Sequence, residues 1–462
     1  MNNFSDFAVW GSLNLVAVLL LSLLAANFLK KSIPFLARTL IPTSVLGGLL
    51  ILIVTAVYRL ITGNSMLDTP FFNNNGTNTA EIITYHSLAL GFIATVYKPN
   101  VGRMPKKRYI EIFDTGVTTV ASYLLQGVLG LGITLIWTAL VDPSFFKAAG
   151  ILLPFGYGQG TGQAMNYGAI YEADYAFAGG KSFGLSIAAL GFISASVGGV
   201  IHLNLLRRKG RLIISEEQMA EKFTSDDIQK SDEIPMNGSI DKMTLQLGIV
   251  FATYLLSYLI IYLLAKLIPG FSSVLYGFNF LMGVLVGTGI NAILGVLKRR
   301  KVIQKEYINP FLMKRISGFF FDLMIVAGIA AIRIETLKHY WLILLILGVV
   351  GLLATYFYNR WIARKFFPGY AEEQFMVMFG MLTGTASTGI ILLRELDKNF
   401  ETPAADNLVY QQLPAIVFGF PLMLLATLAP KQPVLTLIIL ALFFLAMNLI
   451  LFRRQIFKKK PE

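Results

Sequence analysis

The sequence contains no cysteine, which excludes disulfides and thiolate metal sites and leaves the redox compartment unmarked. Charge is scarce: Asp, Glu, Lys and Arg make up 14% of the 462 residues, against roughly 25% in an average soluble domain. No Walker loop, metal-ligand cluster or nucleophile elbow occurs, so neither enzymatic chemistry nor a cofactor is expected. Residues 1–9 carry no lysine or arginine, and no small-residue cleavage pattern follows the first apolar run. That run is therefore expected to be a retained span rather than a secretory leader.

What the chain has in quantity is apolar surface: 55% of its residues are hydrophobic, gathered in runs such as 13–29, 45–57, 182–206, 245–267 and 434–452. Each reaches or approaches the ~20 residues that one helix needs to cross a bilayer core. The expected fold class is an all-α polytopic membrane protein whose first partner is the lipid bilayer. Apolar stretches and the charges between them place eleven spans near 8–29, 42–61, 83–97, 112–141, 182–206, 244–267, 274–297, 316–332, 340–360, 408–429 and 433–452. Two more stretches, 148–170 and 371–393, are apolar but loaded with glycine, threonine and serine, which makes them poor continuous helices and candidates for re-entrant hairpins.

Positive residues in short loops stay cytoplasmic. With the N-terminus outside, the cytoplasmic segments 30–41, 98–111, 207–243, 298–315, 360–407 and 453–462 hold 32 of the 39 basic residues, and the loop 62–81 has none. Letting either glycine-rich stretch cross would reverse every later loop, so both are expected to enter and leave on one side. The expected location is the inner (cell) membrane, multi-pass, N-terminus outside and C-terminus cytoplasmic. The formal charge of +13 follows this pattern: Arg207, Arg208, Lys209 and Arg211, the 298–301 cluster, and Lys458, Lys459 and Lys460 lie just cytoplasmic of spans. Such positions fit stop-transfer and lipid head-group contact, and no nucleic-acid partner is expected.

Both halves contain the phrase F-G-x-x-x-G-T, once from Phe155 to Thr161 and again from Phe379 to Thr385, 224 residues apart. Weaker echoes keep the same order: Leu46-Gly47-Gly48-Leu49 with Met282-Gly283-Val284-Leu285, and Leu90-Gly91-Phe92-Ile93-Ala94 with Ala327-Gly328-Ile329-Ala330-Ala331. Residues 1–206 form the first half with its hairpin near 148–170. A polar cytoplasmic linker, 207–243, follows, broken by Pro235-Met236-Asn237-Gly238. Residues 244–432 form the second half with its hairpin near 371–393, and 433–462 are an extra span with a basic tail. Each half has five spans with its hairpin between the fourth and fifth. Because five is odd, the halves enter the membrane from opposite sides, the inverted-repeat plan of secondary transporters.

Backbone at membrane depth is tolerated only where it is buried in protein or lines a wet cavity. Gly156, Gly158, Gly160 and Gly162 let the first hairpin turn sharply, and helical spacing resumes after each tip, so each tip presents the positive end of a half-helix. A small anionic or zwitterionic substrate suits that geometry. Candidate substrate-binding residues are Gly158, Gln159, Gly160, Thr161, Gly162, Gln163 and Asn166 at the first tip, and Thr383, Gly384, Thr385, Ser387 and Thr388 at the second. Their neutral oxygens, with freed carbonyls, also suit a hard cation, and small residues at such spacing equally permit close helix packing.

Intramembrane acids are costly and default to functional candidates. Asp322 has apolar sequence on both sides, and is either a cation or proton site or an acid paired near the inner surface with Arg315. Its repeat counterpart is Tyr85, next to His86. Ion-coupling candidates are therefore Asp322, Gln126, Thr161 and Thr385; Gln126 lies mid-span and reaches either the hairpins or a neighbouring helix. Asp114 is expected to pair at the interface with Arg108 or Lys107. Pro414 frees a carbonyl four residues earlier, for a kink or for the cavity. His202 and His339 fall at helix ends and are expected to be interfacial.

These residues resemble the bacterial sodium/glutamate symporters, in order along most of both halves. Ile41-Pro42-Thr43-Ser44-Val45-Leu46-Gly47-Gly48-Leu49-Leu50 is similar to the family's I-P-E-P-V-A-G-G-L-L phrase, and Gly158-Gln159-Gly160-Thr161-Gly162-Gln163-Ala164 to its G-H-G-T-G-A-A motif. Gln126 with Gly130 and Gly132, and Pro414, resemble positions in its fourth and tenth spans. The chain departs from the family where Gln159 replaces histidine, at the second tip, and near Phe420-Pro421-Leu422, where no acid occurs. The resemblance implies Na+-coupled uptake of glutamate, with Na+ near the hairpin tips as coupling ion, a homodimer, and elevator motion of a domain carrying both hairpins. Neighbouring expectations are a citrate- or dicarboxylate-type carrier, a proton-coupled carrier, and a channel-like or sensory membrane protein.

Overall fold

A computed structural model describes residues 4–38, 41–97, 105–209, 240–269, 272–277, 279–303, 305–337, 340–397 and 401–456. Among these there is no β-strand. The helices are α1 (Phe7–Ser32), α2 (Pro34–Arg38), α3 (Thr43–Thr62), α4 (Gly76–Val96), α5 (Lys106–Leu140), α6 (Leu152–Gln159), α7 (Thr161–Tyr175), α8 (Gly180–Arg208), α9 (Lys242–Leu267) and α10 (Ser272–Gly277). They continue with α11 (Asn279–Arg299), α12 (Pro310–Ala330), α13 (Ile334–Leu337), α14 (Trp341–Phe366), α15 (Ala371–Thr383), α16 (Ala386–Arg394), α17 (Ala404–Tyr410), α18 (Gln412–Leu428) and α19 (Pro433–Ile456).

Nine helices of the described residues are long and apolar enough to cross a membrane: α1, α3, α4, α5, α8, α9, α11, α14 and α19. Two of the eleven expected spans take other forms. The one expected near 316–332 is α12, a 21-residue helix that carries Lys314, Arg315 and Asp322. The one expected near 408–429 is bent by 53° between α17 and α18. Pro414 has no N–H to close the helical bond to Tyr410, which favours a break at that point. The chain is an all-helical, multi-pass membrane protein.

Local chemistry sets several helix ends. Asp6 caps α1 by accepting from the Ala8 amide at 3.0 Å, and Asp241 caps α9 by accepting from Met243 and Thr244 at 2.9 and 3.1 Å. Basic pairs close α1, α8, α11, α14 and α19, where the negative end of the helix dipole favours them. On α19 the residues Ile438, Leu442, Leu445 and Leu449 form an exposed apolar stripe at helical spacing. In water such a stripe would be costly; against lipid tails it is not.

The chain divides into two compact units. One comprises Ile82–Gly102 and Ile214–Met324. Its core joins Leu90, Ile93 and Ala94 of α4 to Val250 of α9 and to Ile316 and Phe320 of α12. The buried Tyr97 hydroxyl meets Thr253 at 2.5 Å. The other comprises Met1–Glu81, Arg103–Ile213 and Ile325–Glu462. Within it α5 packs on α6, α14, α18 and α19, while α8 packs on α6, α7, α14, α15 and α16.

Candidate functional site

The repeated phrase makes the same local structure twice. In the first copy α6 ends at Gln159, Gly160 breaks the helix and Thr161 starts α7; in the second α15 ends at Thr383, Gly384 breaks it and Thr385 caps α16. Gly160 has φ 82° and ψ −170°, a region that is essentially glycine-only. Gly384 has φ −150°, and its requirement is space: a Cβ there would lie 2.9 Å from Thr388 Oγ1 and 3.0 Å from Phe192 Cδ1. In both copies the two short helices pack side by side, α6 on α7 and α15 on α16.

The last turn of α6, just before the first break, and the second break itself meet one residue of α8. A Cβ on Gly191 would lie 2.6 Å from the Thr383 carbonyl oxygen and 3.3 Å from Tyr157 Cα, so both broken helices rest against the same bare stretch of backbone. The first tip is also met by the end of α12, where a Cβ on Gly328 would be 2.8 Å from Thr161 Cβ. Carbonyls left over at the breaks are satisfied from neighbouring helices. Tyr123 on α5 donates to Gly158 O at 3.0 Å, and Gln126 on α5 donates to Leu382 O at 2.9 Å and to Thr355 Oγ1 at 2.8 Å. Tyr157 donates to Gly348 O at 2.6 Å.

Two amide atoms beside the breaks lack a hydrogen-bond partner among the described residues. They are the Gln163 Nε2 donor on α7 and the Gln126 Oε1 acceptor on α5, on side chains that are each 1% exposed. Gln163 Oε1 accepts from Asn166 at 3.2 Å, which fixes the amide while leaving Nε2 unspent. An unpaired buried polar atom costs about 1–3 kcal/mol, so a ligand that supplies the partner recovers that cost. Thr161, Thr383 and Thr388 are fully buried, whereas Gln159 and Thr385 are half-buried. Gly162 is buried on α7; Ser387 belongs to α16, and its side chain lies outside the described residues.

Sequence reasoning missed a polar seam that leads along α5 to the second break. Thr115, Thr119, Ser122 and Gln126 share one face: Thr115 meets Gln374 of α15 at 3.3 Å, Thr119 meets Gln411 between α17 and α18 at 2.9 Å, and Ser122 and Gln126 meet Asn359 and Thr355 of α14 at 3.3 and 2.8 Å. Gln374 in turn accepts from Asn407 at 3.0 Å. The signal in the sequence is the spacing of four, three and four between polar residues in an apolar helix.

Other candidates lie elsewhere. Asp322 is exposed on α12 and belongs to the unit formed by Ile82–Gly102 and Ile214–Met324, not to the unit that holds both breaks. Tyr85, its repeat counterpart, donates to Tyr276 O at 2.6 Å. Asp114 pairs with Arg453 of α19 at 2.7 Å, whereas Arg108 pairs with Glu111 at 2.6 Å. His202 is buried between Tyr356 and Glu372, at 2.9 Å from each. His339, most of the 207–243 linker, and Lys458, Lys459 and Lys460 lie outside the described residues. Beside the C-terminal half of α7, Glu81 receives Lys181 at 2.5 Å and Arg333 at 3.7 Å.

Among the described residues no group of three or more His, Cys, Asp or Glu could hold a metal ion. What the breaks offer instead is neutral: hydroxyls, amides, carbonyls and helix ends. Such a set can take a small carboxylate by its N–H donors and a hard monovalent cation by its oxygens. No protein-family model matches the chain, and none of the curated proteins compared with it does.

Proposed function

We propose that this protein is a secondary active transporter, a Na+-coupled symporter of glutamate or a related amino acid or carboxylate. The observation that carries the reading is the meeting at Gly191 of two broken helices built from one repeated phrase, each break with one unpartnered amide atom of a buried side chain beside it. A filter of static loops has no need of two non-identical breaks in one chain, whereas alternating access around a midplane site does. The Gln163 Nε2 donor and the uncapped start of α7 suit a substrate carboxylate. The Gln126 Oε1 acceptor and the hydroxyls of Thr161, Thr383 and Thr385 suit Na+ or a substrate ammonium.

In this reading α1, α3, α4, α5 and α8 are the five spans of one half and α9, α11, α12, α14 and α18 those of the other, inverted in the membrane. The pairs α6/α7 and α15/α16 are re-entrant hairpins between the fourth and fifth spans, and α19 is additional. The basic-residue distribution supports an external N-terminus and a cytoplasmic C-terminus. Both hairpins belong to one compact unit, as an elevator requires of its carrier domain. The homodimer is part of the same proposal and rests on the resemblance to sodium/glutamate symporters.

Ligand-induced thermal stabilisation tests the substrate class, since a ligand that binds only the folded protein stabilises by RT ln(1 + [L]/Kd). Glutamate or a close analogue should raise the unfolding midpoint of the purified protein in Na+ and not in choline. A panel of amino acids, dicarboxylates and citrate that gives no shift in Na+ or across pH would overturn the reading.

A further inference from the structure

The unit formed by Ile82–Gly102 and Ile214–Met324 contains a cleft of about 290 Å³ at the C-terminal end of α11. Its formation follows from how α11 stops. Lys301 takes a left-handed conformation with φ 58°, its amide donates to Lys298 O at 3.0 Å, and Val302 donates to Leu297 O at 3.0 Å. The chain thereby turns back, and residues 305–308 return beside the last two turns of the helix. Gln246 of α9, fully buried, clamps the returning segment: its Nε2 donates to Tyr307 O at 2.8 Å and its Oε1 accepts from the Asn309 amide at 3.1 Å. The Lys298–Glu306 ion pair closes the turn.

Charge in this cleft is unbalanced. Lys298, Arg299 and Lys305 face a single carboxylate, Glu306, which leaves two net positive charges on the lining. The negative end of α11 offsets only about half an elementary charge. Leu294 and Ile308 give the cleft an apolar floor. Above it on the same helix, Leu285, Ile293 and Val296 form an exposed apolar strip on a span-length helix. Arg299, at the edge of the cleft, lies one turn beyond Val296, so the cationic cleft borders this exposed apolar face at one corner and fits a ligand with an anionic head and long apolar tails.

We propose that this cleft binds the phosphodiester head group of an anionic membrane phospholipid. Arg299 and Lys305 engage the phosphate, the guanidinium by paired N–H donors, and the acyl chains run along Leu285, Ile293 and Val296. Lys298 serves mainly to hold Glu306 and the returning segment in place. The inference concerns a unit that does not contain the two helix breaks, and it stands whether or not the chain carries glutamate.

The test uses the purified full-length protein in neutral detergent, with phosphatidylglycerol, phosphatidylcholine or inorganic phosphate added. Phosphatidylglycerol is expected to raise the unfolding midpoint and to stay bound in native mass spectra, and the other two are not. The double variant Arg299→Gln with Lys305→Gln, both exposed and outside the core, should keep the unliganded midpoint and weaken apparent phosphatidylglycerol affinity at least tenfold. A control with equal loss of charge elsewhere, Arg208→Gln with Lys209→Gln, should respond as the parent does. No phosphatidylglycerol effect, an undiminished effect in the Arg299/Lys305 variant, an equal loss in the control, or the same shift with inorganic phosphate would each overturn the proposal.

Discussion

The side-chain amide of Gln126, midway along α5, donates to the carbonyl of Leu382 at 2.9 Å, next to the break that separates α15 from α16. A residue of the N-terminal half thus holds the end of a broken helix from the C-terminal half, across 256 positions of sequence. The same nitrogen reaches Thr355 on α14, so one amide ties three helices together. Replacing Gln126 with leucine leaves the Leu382 carbonyl without its donor at a buried site. The expected cost is about 1–3 kcal/mol, read as a lower thermal midpoint, with uptake reduced at least tenfold. A midpoint equal to that of the parent would show that the bond does not hold the break.

The two glycines of the repeated phrase should respond differently to alanine. At Gly160 the obstacle is the backbone conformation itself, at a cost of about 1–3 kcal/mol that no neighbour can relieve. At Gly384 one obstacle is the Thr388 hydroxyl, 2.9 Å from the added carbon. Thr388→Ala should therefore restore part of the stability lost in Gly384→Ala and none of that lost in Gly160→Ala. Thermal melts of the two double variants read this directly, and equal rescue in both would contradict the distinction.

Much of this was legible in the sequence, and the limits have physical causes. Apolar runs locate helices because a span needs about twenty such residues, and a glycine-threonine step repeated at a fixed offset locates both breaks to the residue. The polar seam of α5 was not legible. Threonine and serine within a helix can bond to their own backbone, as Thr115, Thr119 and Ser122 also do, so their presence alone does not announce partners on other helices. Asp114 shows a different limit. Arg108 and Lys107 are near in sequence, but six and seven positions is not the three or four that brings helical side chains together, and the partner lies on α19. For Asp322, apolar flanks identify a helix and leave open which face the acid occupies.

The Asp114–Arg453 pair makes its own prediction. Asp114 is buried, Arg453 also lies over the Phe113 ring, and together they anchor the last helix to α5. Arg453→Met should strongly destabilise, by about 3–5 kcal/mol, because it leaves a buried charge without its partner. Adding Asp114→Asn should recover most of the loss. A double variant as unstable as Arg453→Met alone would mean that the pair is not what secures α19.

Acid should loosen the start of α15. The His202 ring bonded to Glu372, together with the Arg364 guanidinium, lowers the Glu372 carboxyl from 4.5 to about 2, against the opposing effect of burial. Because the folded value lies below the unfolded one, the carboxylate's contribution is fully present above pH 5 and is lost as pH falls from 4.5 toward 2. Glu372→Gln should lower the midpoint near pH 6 and flatten its decline between pH 5 and 3. The same steep decline in parent and variant would assign the acid sensitivity to other groups.

Accumulation of labelled glutamate in proteoliposomes that contain the purified protein, under an imposed inward Na+ gradient, reads Na+-coupled symport itself. Concentrative uptake that collapses when the gradient is dissipated is expected, with none in Gly160→Val or Gly384→Val although both variants purify folded. Absence of Na+-driven accumulation of glutamate and of every related amino acid or carboxylate tried, or normal uptake in both valine variants, would contradict it.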